Sequence, residues 1–178
     1  MDQLPELIGE RVSLRHMTHD DAQGVFEVFG DPNITKWMGI ALRRDKAHAK
    51  ELIDEIDALA DEDALYQWGI ARDGRIIGTV TLARIDARNK RAELGFALGA
   101  AHQGAGYATE AVRLALDYAF GELGLNRIEA DTDPRNTASI ALLTRVGFER
   151  EGYMPQRWLI DEEWCDTVFF GLLASKRR

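Results

Sequence analysis

Apolar positions recur along the chain with two periods, near two in some stretches and near 3.6 in others, and the alternation between them predicts the elements. Glu10 to Arg15 alternates and predicts an opening strand. Thr18, with Asp21 three residues on, marks a helix start. That helix carries Val25, Phe26, Val28 and Phe29 and stops near Gly30-Asp31-Pro32. Asn33 to Leu42 has no period and predicts an irregular segment whose Trp37 and Met38 belong either to the core or to a cleft. Lys46 to Ala60 puts Ala49, Leu52, Ile53 and Ile56 on one helical face. Leu65 to Arg72 and Arg75 to Ile85 form a hairpin around Asp73-Gly74, and the polar turn Asp86 to Arg91 leads into a third strand, Ala92 to Leu98.

A glycine-rich turn, Gly99 to Gly106, follows, and then a helix with Ala108, Ala111, Val112, Ala115, Leu116, Ala119 and Phe120 in one stripe. Gly121 to Asn126 breaks it, with Gly124 suited to the helix end. Arg127 to Thr132 is a strand, so a strand, a crossover helix and a second strand imply a parallel pair with a right-handed connection. Asn136 caps the helix Thr137 to Val146, Gly147 ends it, and Phe148 to Ile160 with Glu163 to Leu173 reads as a closing hairpin turned at Asp161-Glu162. The predicted fold class is α/β: a mixed, mostly antiparallel sheet of about seven strands, with a central parallel β-α-β crossover and helices on both faces. With 178 residues, no internal repeat and no linker, one domain over 1–178 is expected.

Charge narrows the partners. A formal net charge of −8 lacks the basic footprint of a nucleic-acid binder, so no nucleic-acid partner is expected. The longest apolar runs are too short to span a bilayer, and MDQLPELIGERV has no basic region followed by an apolar core. No membrane association or signal peptide is expected, and a cytoplasmic location follows. Cys165 has no second cysteine to pair with and reads as a small buried hydrophobe. His16 and His19 have no third ligand at metal spacing and read as surface or capping residues, so no metal is expected. The acidic run Asp54, Glu55, Asp57, Asp61, Glu62 and Asp63 is a solvated face or, in the alternative, an amine-recruiting one.

The glycine turn is the candidate for chemistry. Glycines allow close approach, and the first N–H groups of a helix point outward with partial positive charge, a setting for phosphate. A tight structural turn with no ligand is the simpler alternative. A nucleotide-hydrolase phosphate loop is excluded, because no Lys-Ser or Lys-Thr follows. A dinucleotide fingerprint fits imperfectly, with Thr109 in the third glycine place, and the repeated β-α-β units are missing. Gln103-x-x-Gly106-x-Ala108 instead resembles the pyrophosphate loop of the GNAT superfamily of N-acetyltransferases. Asn136-x-x-Ser139-x-x-Leu142 with Gly147-Phe148 resembles a segment of the same superfamily, and Tyr107-Ala108-Thr109-Glu110-Ala111 and Asp166 before Val168-Phe169-Phe170 are similar to the branch that includes ribosomal-protein N-terminal acetyltransferases.

The resemblance implies acetyl transfer from acetyl-CoA to an amine, in a ternary complex without a covalent acyl-enzyme. It implies that Phe96, Ala97 and Leu98 pair their backbone with the pantetheine arm, and that an N–H near Leu98 binds the thioester carbonyl. It places Gly104, Ala105, Gly106, Tyr107, Ala108 and Thr109 at the pyrophosphate with Gln103 beside them, and Asn136 near the pantetheine, where a pure helix-capping role is the alternative. Glu93 matches a glutamate that serves as base in some members, and an apolar setting there would raise its pKa. Glu110 is expected as a first-turn acid for dipole reasons. The tyrosine that many members carry after the motif leucine is Leu143 here; resemblance to the ribosomal-protein branch implies that Ser139 stabilises the leaving thiolate instead, with helix-end hydrogen bonding as the alternative. The implied acceptor is a protein N-terminus, with a polyamine or aminoglycoside-type small amine as the alternative. A non-catalytic CoA-binding sensor is a further alternative, and a homodimer is implied by resemblance alone.

Overall fold

The computed structural model describes residues 4–38, 42–61 and 65–177. In chain order the elements are β1 (Leu7–Ile8), β2 (Ser13–Arg15), α1 (Ala22–Phe29), α2 (Pro32–Thr35), α3 (Lys46–Asp61), β3 (Leu65–Arg72), β4 (Arg75–Asp86), β5 (Arg91–Leu98), α4 (Tyr107–Gly121), β6 (Arg127–Thr132), α5 (Thr137–Arg145), β7 (Glu149–Ile160) and β8 (Glu163–Leu173). The strands make one sheet in the order β1-β2-β3-β4-β5-β6-β8-β7. Every pairing is antiparallel except β5 with β6, which α4 joins in parallel.

The middle strands are apolar on both sides because both faces of the sheet are covered. Successive side chains alternate faces, so the neighbours Ile70 and Ala71, Ile76 and Ile77, and Ala97 and Leu98 divide between two cores. One core gathers Leu14, Trp68, Val80, Leu82, Leu94 and Ile128 under α4 and α5, whose Ala111, Ala115, Leu116 and Leu143 are buried there. The other lies under α1 and α3 and contains Val25, Val28, Ile53, Ala71, Ile76 and Ala97.

The structure corrects the sequence at the start of the chain. The expected strand Glu10–Arg15 shortens to Ser13–Arg15, and an unforeseen β1 brings the sheet to eight strands. Gly9 closes a turn onto the Val12 carbonyl at 2.9 Å, and the N–H groups of Arg11 and Val12 turn to the Glu110 carboxylate at 2.8 and 3.3 Å instead of to a strand. The segment expected to be irregular begins with α2, set by Pro32 at its first position and by the Asp31 carboxylate accepting from the Asn33 N–H at 2.8 Å. Residues 39–41 of that segment, and Glu62 and Asp63 of the acidic run, lie outside the described residues. His16 and His19 contact Asp57 and Asp54 of α3 at 2.8 and 2.7 Å, so they fasten the chain entry to that helix. Cys165 is buried. Among the described residues, no group of His, Cys, Asp and Glu has the form of a metal site, and no helix is long and apolar enough to cross a membrane.

Candidate active site

The parallel ladder between β5 and β6 is short. Its register runs Arg91 to Arg127, Ala92 to Ile128 and Glu93 to Glu129, and then ends. Beyond that point β5 stays on β4 and β6 stays on β8, so the two strands part. The Gly99 N–H donates to the Ile77 carbonyl of β4 at 2.8 Å. Because backbone groups of an antiparallel strand alternate sides, those of Leu98 and Phe96 face away from β4, into the gap. The Leu98 carbonyl there accepts from the Gln103 side-chain amide at 3.0 Å.

The glycine loop closes the outer end of the gap. Gly104 and Gly106 have φ of 81° and 86°, the left-handed region that glycine reaches without a Cβ penalty. A Cβ on Gly106 would also meet the Arg11 guanidinium at 3.3 Å. Gly106 is the N-cap of α4, so the N–H groups of Tyr107, Ala108 and Thr109 have no partner within the helix. Arg11 sets the loop from behind: it donates to the Ala105 carbonyl and the Glu110 carboxylate, both at 2.8 Å. Burial pushes the Glu110 carboxyl up, but the bonds from the Arg11 backbone and side chain and from the Val12 N–H outweigh it and hold the carboxyl below its ordinary range. The Tyr107 ring sits outside the cleft, between the guanidinium groups of Arg11 at 5.3 Å and Arg72 at 4.5 Å.

The gap and the loop enclose a cavity of about 640 Å³. Its walls bring together Phe96, Ala97, Leu98, Gln103, Gly104, Ala105, Gly106, Ala108, Thr109, Asn136 and Ser139. Two candidate site residues are absent from the walls. One is Tyr107, whose contribution is confined to its backbone. The other is Glu93, which stands at the fork where the strands part, on the sheet face it shares with Gly95 and Ala97. Its setting is not the apolar one expected: Arg84 donates to both of its carboxylate oxygens at 3.0 Å.

Asn136 caps α5, its side-chain oxygen accepting from the Ser139 N–H at 3.2 Å. Its amide nitrogen and the second lone pair of that oxygen are what it can offer a ligand. Leu142 lines the cavity whereas Leu143 is in the core, so a side chain at 143 packs under α5. Sequence reasoning passed over Arg145, among the described residues the one charged side chain on the cavity wall. It lies over the first turn of α4, 3.4 Å from the Thr109 hydroxyl. A guanidinium beside a helix N-terminus is the available signal for a polyanion, but it depends on the packing of α5 on α4. Trp37 and Met38 resolve to the cavity wall.

The walls suit a long ligand with an extended, amide-bearing arm and a phosphorylated end. Strand edges in the gap are open to such an arm, and bare N–H groups and Arg145 are open to anionic groups. Comparison with known proteins gives the family. The model of the acetyltransferase (GNAT) domain matches residues 11–149. The uncharacterized N-acetyltransferase p20 of Bacillus licheniformis is 38% identical over 96% of this chain and 97% of its own. YdaF of Bacillus subtilis strain 168, named as a proposed ribosomal N-acetyltransferase, is 29% identical over 95% and 94%. The spermidine N(1)-acetyltransferase of Escherichia coli K12 is 25% identical over 88% and 83%. Among solved structures, Mycobacterium smegmatis RimJ in complex with CoA-disulfide superposes with a TM-score of 0.88 at 25% identity, over 97% of this chain and 88% of that one.

Proposed function

Since the chain belongs to the GNAT acetyltransferase family and is an acyltransferase, we propose that residues 1–178 act as one domain that transfers the acetyl group of acetyl-CoA to a primary amine, that of a protein N-terminus. The observation that carries this reading is the parting of β5 and β6 beyond Glu93 and Glu129, with the polar groups of Phe96 and Leu98 turned into the gap. Gly104, Ala105 and Gly106 with the first turn of α4 hold the pyrophosphate, and Arg145 neutralises phosphate charge beside them. The acetyl thioester supplies the activated acyl carbon.

An α-amine has a pKa of about 8, so the acceptor arrives mostly protonated at neutral pH. Glu93 at the fork takes that proton, directly or through a water, and the freed lone pair attacks the acyl carbon. The N–H groups of Phe96 and Leu98 face the negative charge that develops on the thioester oxygen. Glu93, having passed the first proton to solvent, takes the second from the acylated nitrogen; the C–S bond breaks while the Ser139 hydroxyl donates a hydrogen bond to the departing thiolate, and Glu93 hands that second proton to the sulfur. Alignment of the two reactants supplies up to ~7–11 kcal/mol of the barrier. The closing hairpin exposes Met154, Trp158, Leu159 and Trp164, with the Trp158 indole N–H donating to Asp131 of β6, and this apolar surface supports a polypeptide acceptor. The spermidine acetyltransferase among the relatives supports a small amine as the second reading.

Thiol release from acetyl-CoA, followed with a free peptide, the same peptide blocked at its N-terminus, and spermidine, tests this. Release with the free peptide alone is expected. Release with spermidine alone moves the acceptor to small amines. Acetyl-CoA binding with no release on any amine overturns the enzyme and leaves a CoA-binding sensor.

A further inference from the structure

We propose that Asp131, with Trp158 beside it, is a specificity-determining residue that holds a second cationic group of the acceptor, an ammonium or guanidinium next to the reacting amine. The proposal rests on the reading above that the amine is acetylated at the fork.

Glu93 and Glu129 are partners in the last rung of the parallel ladder, and Asp131 follows Glu129 by two residues on β6. Residues two apart on a strand share a face, and at ~3.3 Å per residue Asp131 stands roughly 7 Å beyond the fork, on the open side of the cleft. Glu129 is neutralised by Arg91 at 3.0 Å and Arg127 at 2.7 Å. Glu93 is neutralised by Arg84. Asp131 differs from both. Its partners are neutral, the Trp158 indole N–H at 3.2 Å and the Thr167 hydroxyl at 3.3 Å, and both donate to Oδ2. Among the described residues, no ion pair reaches Asp131. Arg157 makes no ion pair with it: its guanidinium stacks on the rings of Trp158 at 5.0 Å and Phe169 at 4.9 Å and donates to the Met154 sulfur.

Two neutral donors fix the carboxylate through Oδ2 without an ion pair, which leaves Oδ1 oriented for a further donor. A cation arriving there gains a charge-assisted hydrogen bond. Two acceptors carry this chemistry, a peptide with a basic residue near its N-terminus and a polyamine with a second nitrogen.

A purely structural role, tying β6 to β7 and β8, makes a different prediction. Asp131→Asn keeps an oxygen that accepts from Trp158 and Thr167 and removes only the charge. Initial rates at saturating acetyl-CoA are measured for the full chain with matched pairs, a peptide bearing lysine at its second position against its norleucine twin, and spermidine against butylamine. The expected result is a preference of the wild type for the cationic member of at least one pair, which identifies the source. D131N then raises KM for that member about tenfold, the ~1.4 kcal/mol of one charged contact. Its kcat stays within about twofold, the neutral twin and Tm are unchanged, and Asp131→Glu restores part of the preference. Equal loss on both members of each pair, or no preference in the wild type, overturns the proposal. Spermidine and the lysine peptide titrated calorimetrically into the CoA-loaded wild type and D131N read the site without turnover. Weaker binding to D131N sustains the proposal even if acetyl transfer fails, and equal binding to both sinks it while leaving the transferase reading intact.

Discussion

The cavity and the closing hairpin present different chemistry. In the cavity much of it is backbone: a left-handed Gly106, the bare N–H groups of the first turn of α4, and strand groups of Phe96 and Leu98 turned into the gap. On the hairpin it is side chains, Met154 and Trp158 of β7, which shifts register between them and carries Gln156 at φ 49°, and Trp164 of β8. A backbone cradle recognises what every acyl-CoA has in common. A side-chain wall changes with each substitution, so acceptor choice belongs there.

The largest break in this comparison is Gly106→Val. A β-branched residue at φ 86° pays left-handed strain and presses on Arg11, which sets the loop from behind. Acetyl-CoA affinity, measured by calorimetry, should fall roughly 10³-fold, some 4 kcal/mol, with the fold intact by circular dichroism. Glu93→Gln comes next. It should lower kcat about 10²-fold with little change in KM for acetyl-CoA, read as thiol release across pH. A larger effect on acetyl-CoA binding than on kcat would move Glu93 to a structural role.

Glu110→Gln follows, and it acts on the cradle from behind. Hydrogen bonds to a charged group contribute ~1.5–3 kcal/mol, so the variant should lose about 2 kcal/mol at neutral pH, measured by urea unfolding. The Glu110 carboxyl is held below its ordinary range in the folded chain. Its stabilisation is therefore complete above the unfolded carboxyl pKa of about 4.3 and is lost as pH falls through the lower folded value. The stability gap between wild type and E110Q should close in acid, and a gap that persists there contradicts the assignment. Arg145→Ala should have the smallest effect, a rise in KM for acetyl-CoA of about fivefold, ~1 kcal/mol for an exposed cation, that shrinks in high salt.

The same contrast decides what is legible in the chain. The glycine loop, the β-α-β unit and the three-strand run before it follow from local periods and turn residues, and the expected and observed bounds of β3 coincide. The cradle is legible because backbone geometry demands particular residues: only glycine sits readily where Gly104 and Gly106 do. What local sequence misses is non-local. β1 and the shortened β2 exist because Glu110, about a hundred residues away, captures the N–H groups of Arg11 and Val12. The Arg84 partner of Glu93 comes from the neighbouring strand at a register shift, where Arg84 has φ 51°. Arg145 reaches the cavity through the packing of α5 on α4. Each is a contact between elements that no spacing encodes.

The most direct measurement is a calorimetric titration of the full chain with acetyl-CoA and, in parallel, with NAD. A parted strand pair ending at the glycine cradle predicts saturable micromolar or tighter binding of acetyl-CoA and no heat with NAD. Binding of NAD, or of neither ligand, would contradict the cofactor site and return the glycine loop to a structural turn.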